Sequence, residues 1–190
     1  MKLTSLSYLL TILLGTMSYS DALSAPALDC SEKVPSDLQV LLKKKYPDFR
    51  VPHLSDLDKQ SIDFDLSDNG DGCFAVAKGK FGDNFKQDIA ILLVPISDTA
   101  PYLVVAMPRD RTWKIDRLPS FCQNIQFCYV KIKKPGTYTR SEALTTPSVR
   151  KNERDVLSTK NEVVFSGHLE STGIAYVYEK GVWLYVWVED

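Results

Sequence analysis

The chain has 190 residues, 44% of them hydrophobic and 25% charged, with a formal net charge of −1. This length is typical of one domain, and the apolar fraction supports a core, which argues against a disordered chain. The near-zero charge argues against nucleic acid or an anionic membrane as the partner. Because His53 and His168 are the only histidines, the chain also offers few candidates for a general base.

The N-terminal residues have the features of an export signal. Lys2 provides a positive start, residues 8–14 form a short apolar run, and small residues follow. This run is much shorter than the roughly 20 residues that a membrane span requires, and no later stretch is long enough either. The pattern predicts a cleaved signal peptide, and an uncleaved N-terminal anchor is the alternative.

The small residues suggest where the signal peptide ends. Cleavage after Ala22 satisfies the small-x-small rule through Ser20, whereas cleavage after Ala25 satisfies it less well. We therefore expect removal of residues 1–22, with a cut as late as residue 25 as the alternative. Residues 23–190 are predicted to form one exported domain, either periplasmic or secreted.

Four cysteines lie in the expected mature part: Cys30, Cys73, Cys122 and Cys128. An even number of cysteines after a signal peptide predicts two disulfides, for which three connectivities are open. The proximity of Cys122 to Cys128 favours a local bridge between them, which leaves Cys30 with Cys73. A zinc site is not favoured, because the chain has no C-x-x-C and neither histidine lies near a cysteine pair.

A helix is predicted to begin at Ser36 and to end before Pro47. Ser36 and Gln39 fit an S-x-x-Q capping box. The apolar residues recur at helical spacing and define one face: Leu38, Leu41, Leu42 and Tyr46. Lysines 43–45 suit the negative end of the helix dipole. They are interpreted as a solvated helix end, with binding of an acidic partner as the alternative.

Residues 48–72 are polar and acidic. Within them, residues 63–72 contain several aspartates and could hold a cation. They depart from the EF-hand pattern, because Asp68 stands where glycine is required and Phe74 where glutamate is required. Asn-Gly and Asp-Gly pairs are also common in turns, so this segment is predicted to be a solvated turn before a strand.

The remainder of the chain is dominated by strand patterns. Two near-continuous apolar runs, Ile89–Ile96 and Tyr102–Met107, are typical of central strands buried on both faces. Other segments alternate or have strand composition: Phe74–Lys80, Thr112–Leu118, Cys128–Lys133, Glu162–Leu169, Gly173–Glu179 and Val182–Val188. The predicted fold class is α+β, with the N-terminal helix packed on a mostly antiparallel sheet of seven or eight strands in one domain.

The last two predicted strands are joined by a two-residue loop, Lys180-Gly181. This loop sets a register in which paired residue numbers sum to 361, and it places five aromatic side chains on one face: Tyr176, Tyr178, Trp183, Tyr185 and Trp187. An aromatic face of this kind is a candidate platform for a protein or a glycan. The alternative is that another element, such as the Leu38 helix, covers it.

Residues 80–93 run from a short loop through Asp88 into an apolar strand. Together with the C-terminal hairpin they resemble small exported bacterial proteins with the D-x-D/N-x-D-G-x-x-D loop of FG-GAP-like and VCBS-like segments, over about residues 73–190. The resemblance implies a calcium-binding loop. In this chain Lys80 and Gly82 stand at two ligand positions and Phe85 at the loop glycine, so we expect the metal site to be lost and no cofactor to be bound.

No catalytic motif accompanies these features. The sequence lacks a G-x-S-x-G elbow, a phosphate-binding loop and a free thiol nucleophile. We therefore expect a non-catalytic domain that binds another exported protein, for example as an inhibitor or an immunity protein, with Trp183, Tyr185 and Trp187 as anchors. The alternatives are an envelope glycan hydrolase that uses carboxylates of residues 56–71, and a calcium-responsive structural protein.

Overall fold

The computed structural model describes residues 29–67, 70–83, 86–97, 99–144, 150–168 and 173–188. The predicted signal peptide and its cleavage sites lie outside these residues. The described helices are α1 (Ser36–Lys45) and α2 (Lys59–Ser67), and neither is long and apolar enough to span a membrane. The described strands are β1 (Phe49–Arg50), β2 (Val76–Gly79), β3 (Asp88–Pro95), β4 (Tyr102–Arg109), β5 (Thr112–Arg117), β6 (Cys128–Lys133), β7 (Gly136–Thr139), β8 (Val156–Thr159), β9 (Val163–His168), β10 (Gly173–Glu179) and β11 (Val182–Val188).

These strands form two main sheets and a small ribbon. The first sheet has the order β1-β3-β4-β5, and β2 also pairs with β3. The second sheet has the order β11-β10-β9-β6, and β7 pairs with β8. Every pair of named strands is antiparallel, so the prediction of a single, mostly antiparallel β-rich domain with few helices is confirmed. The expectation of one continuous sheet was wrong.

The division into two sheets occurs at β2 and β6. The backbone N–H of Val130 in β6 donates to the carbonyl of Phe74, just before β2, at 2.8 Å. This hydrogen bond joins the two sheets where the chain before β2 meets β6. Sequence patterns report which residues are strands, but they do not report where a set of strands separates into two layers.

The centre of the first sheet is formed by β3 and β4. All of β3 except Pro95 is buried, and five consecutive residues of β4, from Leu103 to Met107, are buried as well. Burial of successive residues means that both faces of these strands are covered, as their continuous apolar sequences predict.

Helix α1 has the predicted limits and apolar face. Leu38 and Leu42 are buried in the main core, and the helix is followed by Tyr46 and Pro47. The predicted capping box was wrong, because Pro35 occupies the N-cap position. The Gln39 amide instead donates to the carbonyls of Ser31 and Val34, both at 2.9 Å, and so fixes the short 3-10 turn that precedes the helix.

The C-terminal hairpin has the predicted register. Tyr178 pairs with Trp183, and Tyr176 pairs with Tyr185. Lys180 and Gly181 have φ values of 49° and 86°, which are those of a type I′ turn, and the twist of this turn matches that of the strands it joins.

The favoured disulfide pairing is confirmed. Cys30 is bonded to Cys73 across 43 positions of the chain, and Cys122 is bonded to Cys128 across six. All four sulfur atoms lie in buried residues. The longer bridge attaches the segment before α1 to the chain just ahead of β2.

The two disulfides should differ in their contribution to stability. In the chain-entropy account, the longer loop stabilises the fold by about 4 kcal/mol and the shorter loop by about 2.4 kcal/mol. We expect the double variant Cys30→Ser with Cys73→Ser to lose more free energy of unfolding than Cys122→Ser with Cys128→Ser. Urea unfolding of both variants measures the difference, and a larger loss for the short loop would contradict this account.

Candidate functional site

The aromatic face of the hairpin lies in the interior. Tyr176, Tyr178, Trp183 and Tyr185 are buried, and Trp187 is partly buried. The expectation of an exposed aromatic platform is therefore corrected, and the alternative that another element covers this face applies. The predicted anchors fill the core because the face they share is turned toward the first sheet.

The covering element is β5 with the segment that follows it, rather than the Leu38 helix. The Trp183 indole N–H donates to Asp116 at 3.1 Å, and the Tyr176 hydroxyl donates to the carbonyl of Pro119. The ring of Trp187 lies 4.9 Å from that of Phe121. The polar ends of Trp183 and Tyr176 thus have partners, which is the condition for burying tryptophan and tyrosine at low cost.

A surface groove lies where β5, the end of α1 and the C-terminal hairpin meet. Its volume is about 480 Å³. The lining residues come from four separate parts of the chain: Lys45 and Tyr46, 114–119, Asn152, and 181–183 with Tyr185. The groove combines charged side chains with aromatic rings, and it opens to the surface beside the buried hairpin.

The groove carries an excess of positive charge. Lys114 pairs with Asp116 at 3.0 Å, and its ammonium also donates to the Tyr178 hydroxyl at 2.9 Å. Although burial opposes its ionisation, these hydrogen bonds raise the pKa of Lys114, so it remains a cation at neutral pH.

The other two cations in the described lining of the groove contact groups that are not carboxylates. Lys45 donates to the carbonyl of Ile115 at 2.5 Å. Arg117 lies 3.3 Å from the centre of the Tyr102 ring. Lys45 and Arg117 have no carboxylate partner among the described residues.

The described aspartates of residues 56–71 each have a local hydrogen-bond or ion-pair partner. Asp56 is held by two hydrogen bonds from the Arg50 guanidinium, at 2.5 and 2.6 Å. Partial burial raises the pKa of Asp56, but the hydrogen bonds from Arg50 and from the His53 backbone N–H outweigh it, so the pKa lies below its usual value. The other described acids also have local partners: Asp58 with Ser61, Asp63 with Lys59, Asp65 with the Gly72 N–H, and Asp71 with Lys33. Each of these carboxylates therefore has a structural role.

Asp88, the residue that carries the resemblance to calcium loops, is completely buried. Its Oδ2 accepts hydrogen bonds from the backbone N–H groups of Phe81 and Gly82, at 3.0 and 2.7 Å. Its Oδ1 has no partner among the described residues. Burial raises the pKa of Asp88 against the effect of the two N–H donors. The side chain of Asp88, the first residue of β3, thus holds residues 81 and 82 of the loop that precedes this strand.

Metal ligands do not assemble elsewhere in the described part of the chain. There, no three histidine, cysteine, aspartate or glutamate side chains come together as a ligand set. Asp68, which belongs to the predicted acidic segment, and the loop residues Asn84 and Phe85 lie outside the described residues. A single buried carboxylate is far from the six to eight oxygens that calcium takes.

The two histidines have separate structural positions. His53 precedes a 3-10 turn, where Asp56 accepts from its backbone N–H at 2.7 Å, and its ring contacts Asp29 at 3.1 Å. His168 ends β9, with its ring 5.8 Å from that of Phe127. His168 thus lies within the strand predicted at Glu162–Leu169.

No protein-family model, curated protein or solved structure matches the chain. The resemblance to FG-GAP-like and VCBS-like segments therefore stays a prediction. The groove was not found from the sequence, because its residues are distant along the chain. The sequence signals that touch it are the lysine run at residues 43–45, through Lys45, and the predicted anchors Trp183 and Tyr185, which also line the groove.

Burial of the hairpin aromatics can be tested by truncation. Trp183→Ala should lower the free energy of unfolding by about 3–5 kcal/mol, the usual cost of removing a buried aromatic side chain. Val182→Ala, at the neighbouring exposed position, should change it by less than about 0.5 kcal/mol. Chemical denaturation measures both free energies. Equally small losses for the two variants would mean that Trp183 is exposed, as the platform expectation requires.

Asp88 should make stability depend on pH. Its pKa is raised above the ordinary 3.8 in the folded protein. At a pH between 3.8 and the pKa of the folded state, Asp88 is therefore protonated when folded and loses its proton on unfolding. The free energy of unfolding contributed by Asp88 is then greatest at low pH and is lost as the pH rises through the folded pKa.

The measurement compares urea unfolding of the native chain and Asp88→Asn from about pH 4 to about pH 8. The native chain should lose stability relative to the variant as the pH rises. Groups with a lowered pKa, such as Asp56, make the free energy of unfolding rise with pH in both proteins. Subtracting the profile of the variant removes their contribution. Asp110→Asn, in the exposed turn between β4 and β5, is the matched control and should follow the native profile.

Proposed function

We propose that this chain is an exported, non-catalytic protein that binds another exported protein, in the periplasm or outside the cell. An inhibitor or immunity protein against an envelope protein is the most concrete form of this function. Two buried disulfides support a location in an oxidising compartment. The groove beside β5 is the recognition site in this proposal.

The composition of the groove is the observation that carries the proposal. Aromatic and cationic side chains converge there on backbone that two sheets and a helix end hold in place. A site on rigid elements can bind with little loss of conformational entropy. The cations do not belong to a nucleophile-and-base arrangement, since Lys114 is a paired cation and Arg117 lies on an aromatic ring.

The alternatives from the sequence receive less support. A glycan hydrolase would need two free carboxylates across a groove, about 5–10 Å apart. The described acids of residues 56–71 are held by hydrogen bonds or ion pairs, and the one acid in the described lining of the groove is Asp116, which is bonded to Lys114 and Trp183. A calcium-responsive protein would need several oxygen ligands around Asp88, whose described hydrogen bonds come from the N–H groups of Phe81 and Gly82.

Site-specific crosslinking in the source cells tests the proposal. A photoreactive amino acid at position 182, which is 46% exposed and lines the groove, should give one covalent adduct with another envelope protein. The same group at Val40, which is 69% exposed on α1 and does not line the groove, is the matched control. Adducts from both positions, or from neither, would contradict the proposal.

A further inference from the structure

The outer edge of β5 lies in the groove and pairs with no other strand of the described residues. The register with β4 pairs Lys114 with Met107 and Asp116 with Val105, beginning from the turn pair Arg109 and Thr112. In such a two-residue hairpin, hydrogen-bonded pairs alternate with pairs that are not hydrogen-bonded to each other. The backbone groups of residues 113, 115 and 117 therefore point away from β4.

The described contacts agree with this orientation. The outward carbonyl of Ile115 accepts from Lys45, and beyond the strand the N–H of Leu118 donates inward to Leu103 at 2.9 Å. Among the described residues, nothing accepts from the N–H groups of Ile115 and Arg117. Both residues line the groove, so these two donors face a space that a ligand can enter.

The corresponding edge of the second sheet is closed. Tyr185 in β11 donates to the carbonyl of Asn152 at 3.0 Å and accepts from the N–H of Arg154 at 2.9 Å. The carbonyl of Trp187 accepts from the N–H of Ser141, also at 2.9 Å. Proteins commonly cover sheet edges in this way to prevent unwanted pairing. The edge of β5 differs from that of β11, because the N–H groups of Ile115 and Arg117 have no acceptor among the described residues.

The charges around the open edge select the chemistry of a ligand. Asp116 is the one carboxylate in the described lining of the groove, and Lys114 neutralises it. Lys45 and Arg117 are left without a carboxylate, and exposed Lys43 and Lys44 extend the positive field from the last turn of α1. A complementary ligand therefore carries negative charge.

We propose that an extended acidic segment of the partner protein binds in the groove as an added strand antiparallel or parallel to β5. Its backbone carbonyls accept from the N–H groups of Ile115 and Arg117, and its carboxylates face Lys45 and Arg117. Strand addition derives affinity from main-chain hydrogen bonds and specificity from side chains. This inference rests on the proposed function and names the recognition mode and partner chemistry of the same groove.

The probe is a blocked peptide of about eight residues that alternates glutamate with valine or threonine, titrated into the complete mature protein. Hydrogen exchange followed by NMR reports on single amides. The amides of Ile115 and Arg117 should exchange rapidly in the free protein and slowly in the complex. The amides of Lys114 and Asp116, already bonded to β4, should be slow in both states.

Matched peptides and variants separate backbone pairing from charge attraction. A peptide with lysine in place of glutamate, and a glutamate peptide N-methylated at alternate residues, should each bind at least about tenfold more weakly. Arg117→Glu and Lys45→Glu should weaken binding by a similar factor, whereas Arg111→Glu, in the turn before β5, should not.

The outcomes distinguish this inference from the function on which it rests. Equal binding of the N-methylated peptide, or competition by a sulfated oligosaccharide without protection of Ile115 and Arg117, would mean recognition of polyanions and would overturn strand addition. Crosslinking from position 182 to a partner, combined with no binding of the acidic peptide, would overturn the inference and leave the proposed function standing. Loss of the crosslink itself would overturn the function.

Discussion

The structure depends on the burial of the aromatic face of the C-terminal hairpin against β5. A core of tyrosine and tryptophan supplies a large apolar area, but each hydroxyl or indole N–H needs a partner once water is removed. Asp116, Pro119 and Lys114 provide those partners from one short segment. Besides the backbone contact between Phe74 and Val130, the two sheets are therefore held together by hydrophobic contact and by side-chain hydrogen bonds between the hairpin and β5 with the segment after it.

The same arrangement creates the groove. Because β5 is the last strand of its sheet and lies against the hairpin by one face, its outer edge is left beside the turn at residues 180–181. The end of α1 approaches this edge from the other side through Lys45. A side chain that contributes to stability, such as Asp116, is thereby also a wall residue of the recognition site.

The sequence predicted the local structure better than the assembly. Strands β6, β10 and β11 were predicted with their observed limits, because alternation and a two-residue turn are local signals. Helix α2 was missed, since its apolar residues fall at every second position (Ile62, Phe64 and Leu66), although Asp58 bonding to the N–H of Ser61 marks its start. Strands β1, β7 and β8 were missed because they are only two to four residues long.

The functional prediction had a different limit. Periodicity correctly placed five aromatic residues on one face of the hairpin, but the face toward the core and the face toward solvent have the same period. What covers a face depends on elements distant in the chain, here residues 116–121. The groove brings together residues from 45 to 185 and leaves no pattern that a window of sequence can contain.

The disulfides have a consequence for the biogenesis of the chain. Counted from the N-terminus, the first cysteine is bonded to the second and the third to the fourth. A chain that is oxidised while it is exported N-terminus first forms such consecutive pairs by default. Each newly exported thiol meets the preceding cysteine before the later cysteines of the chain have emerged to compete for it. Correct pairing then requires an oxidant alone and no subsequent isomerisation of mispaired bridges.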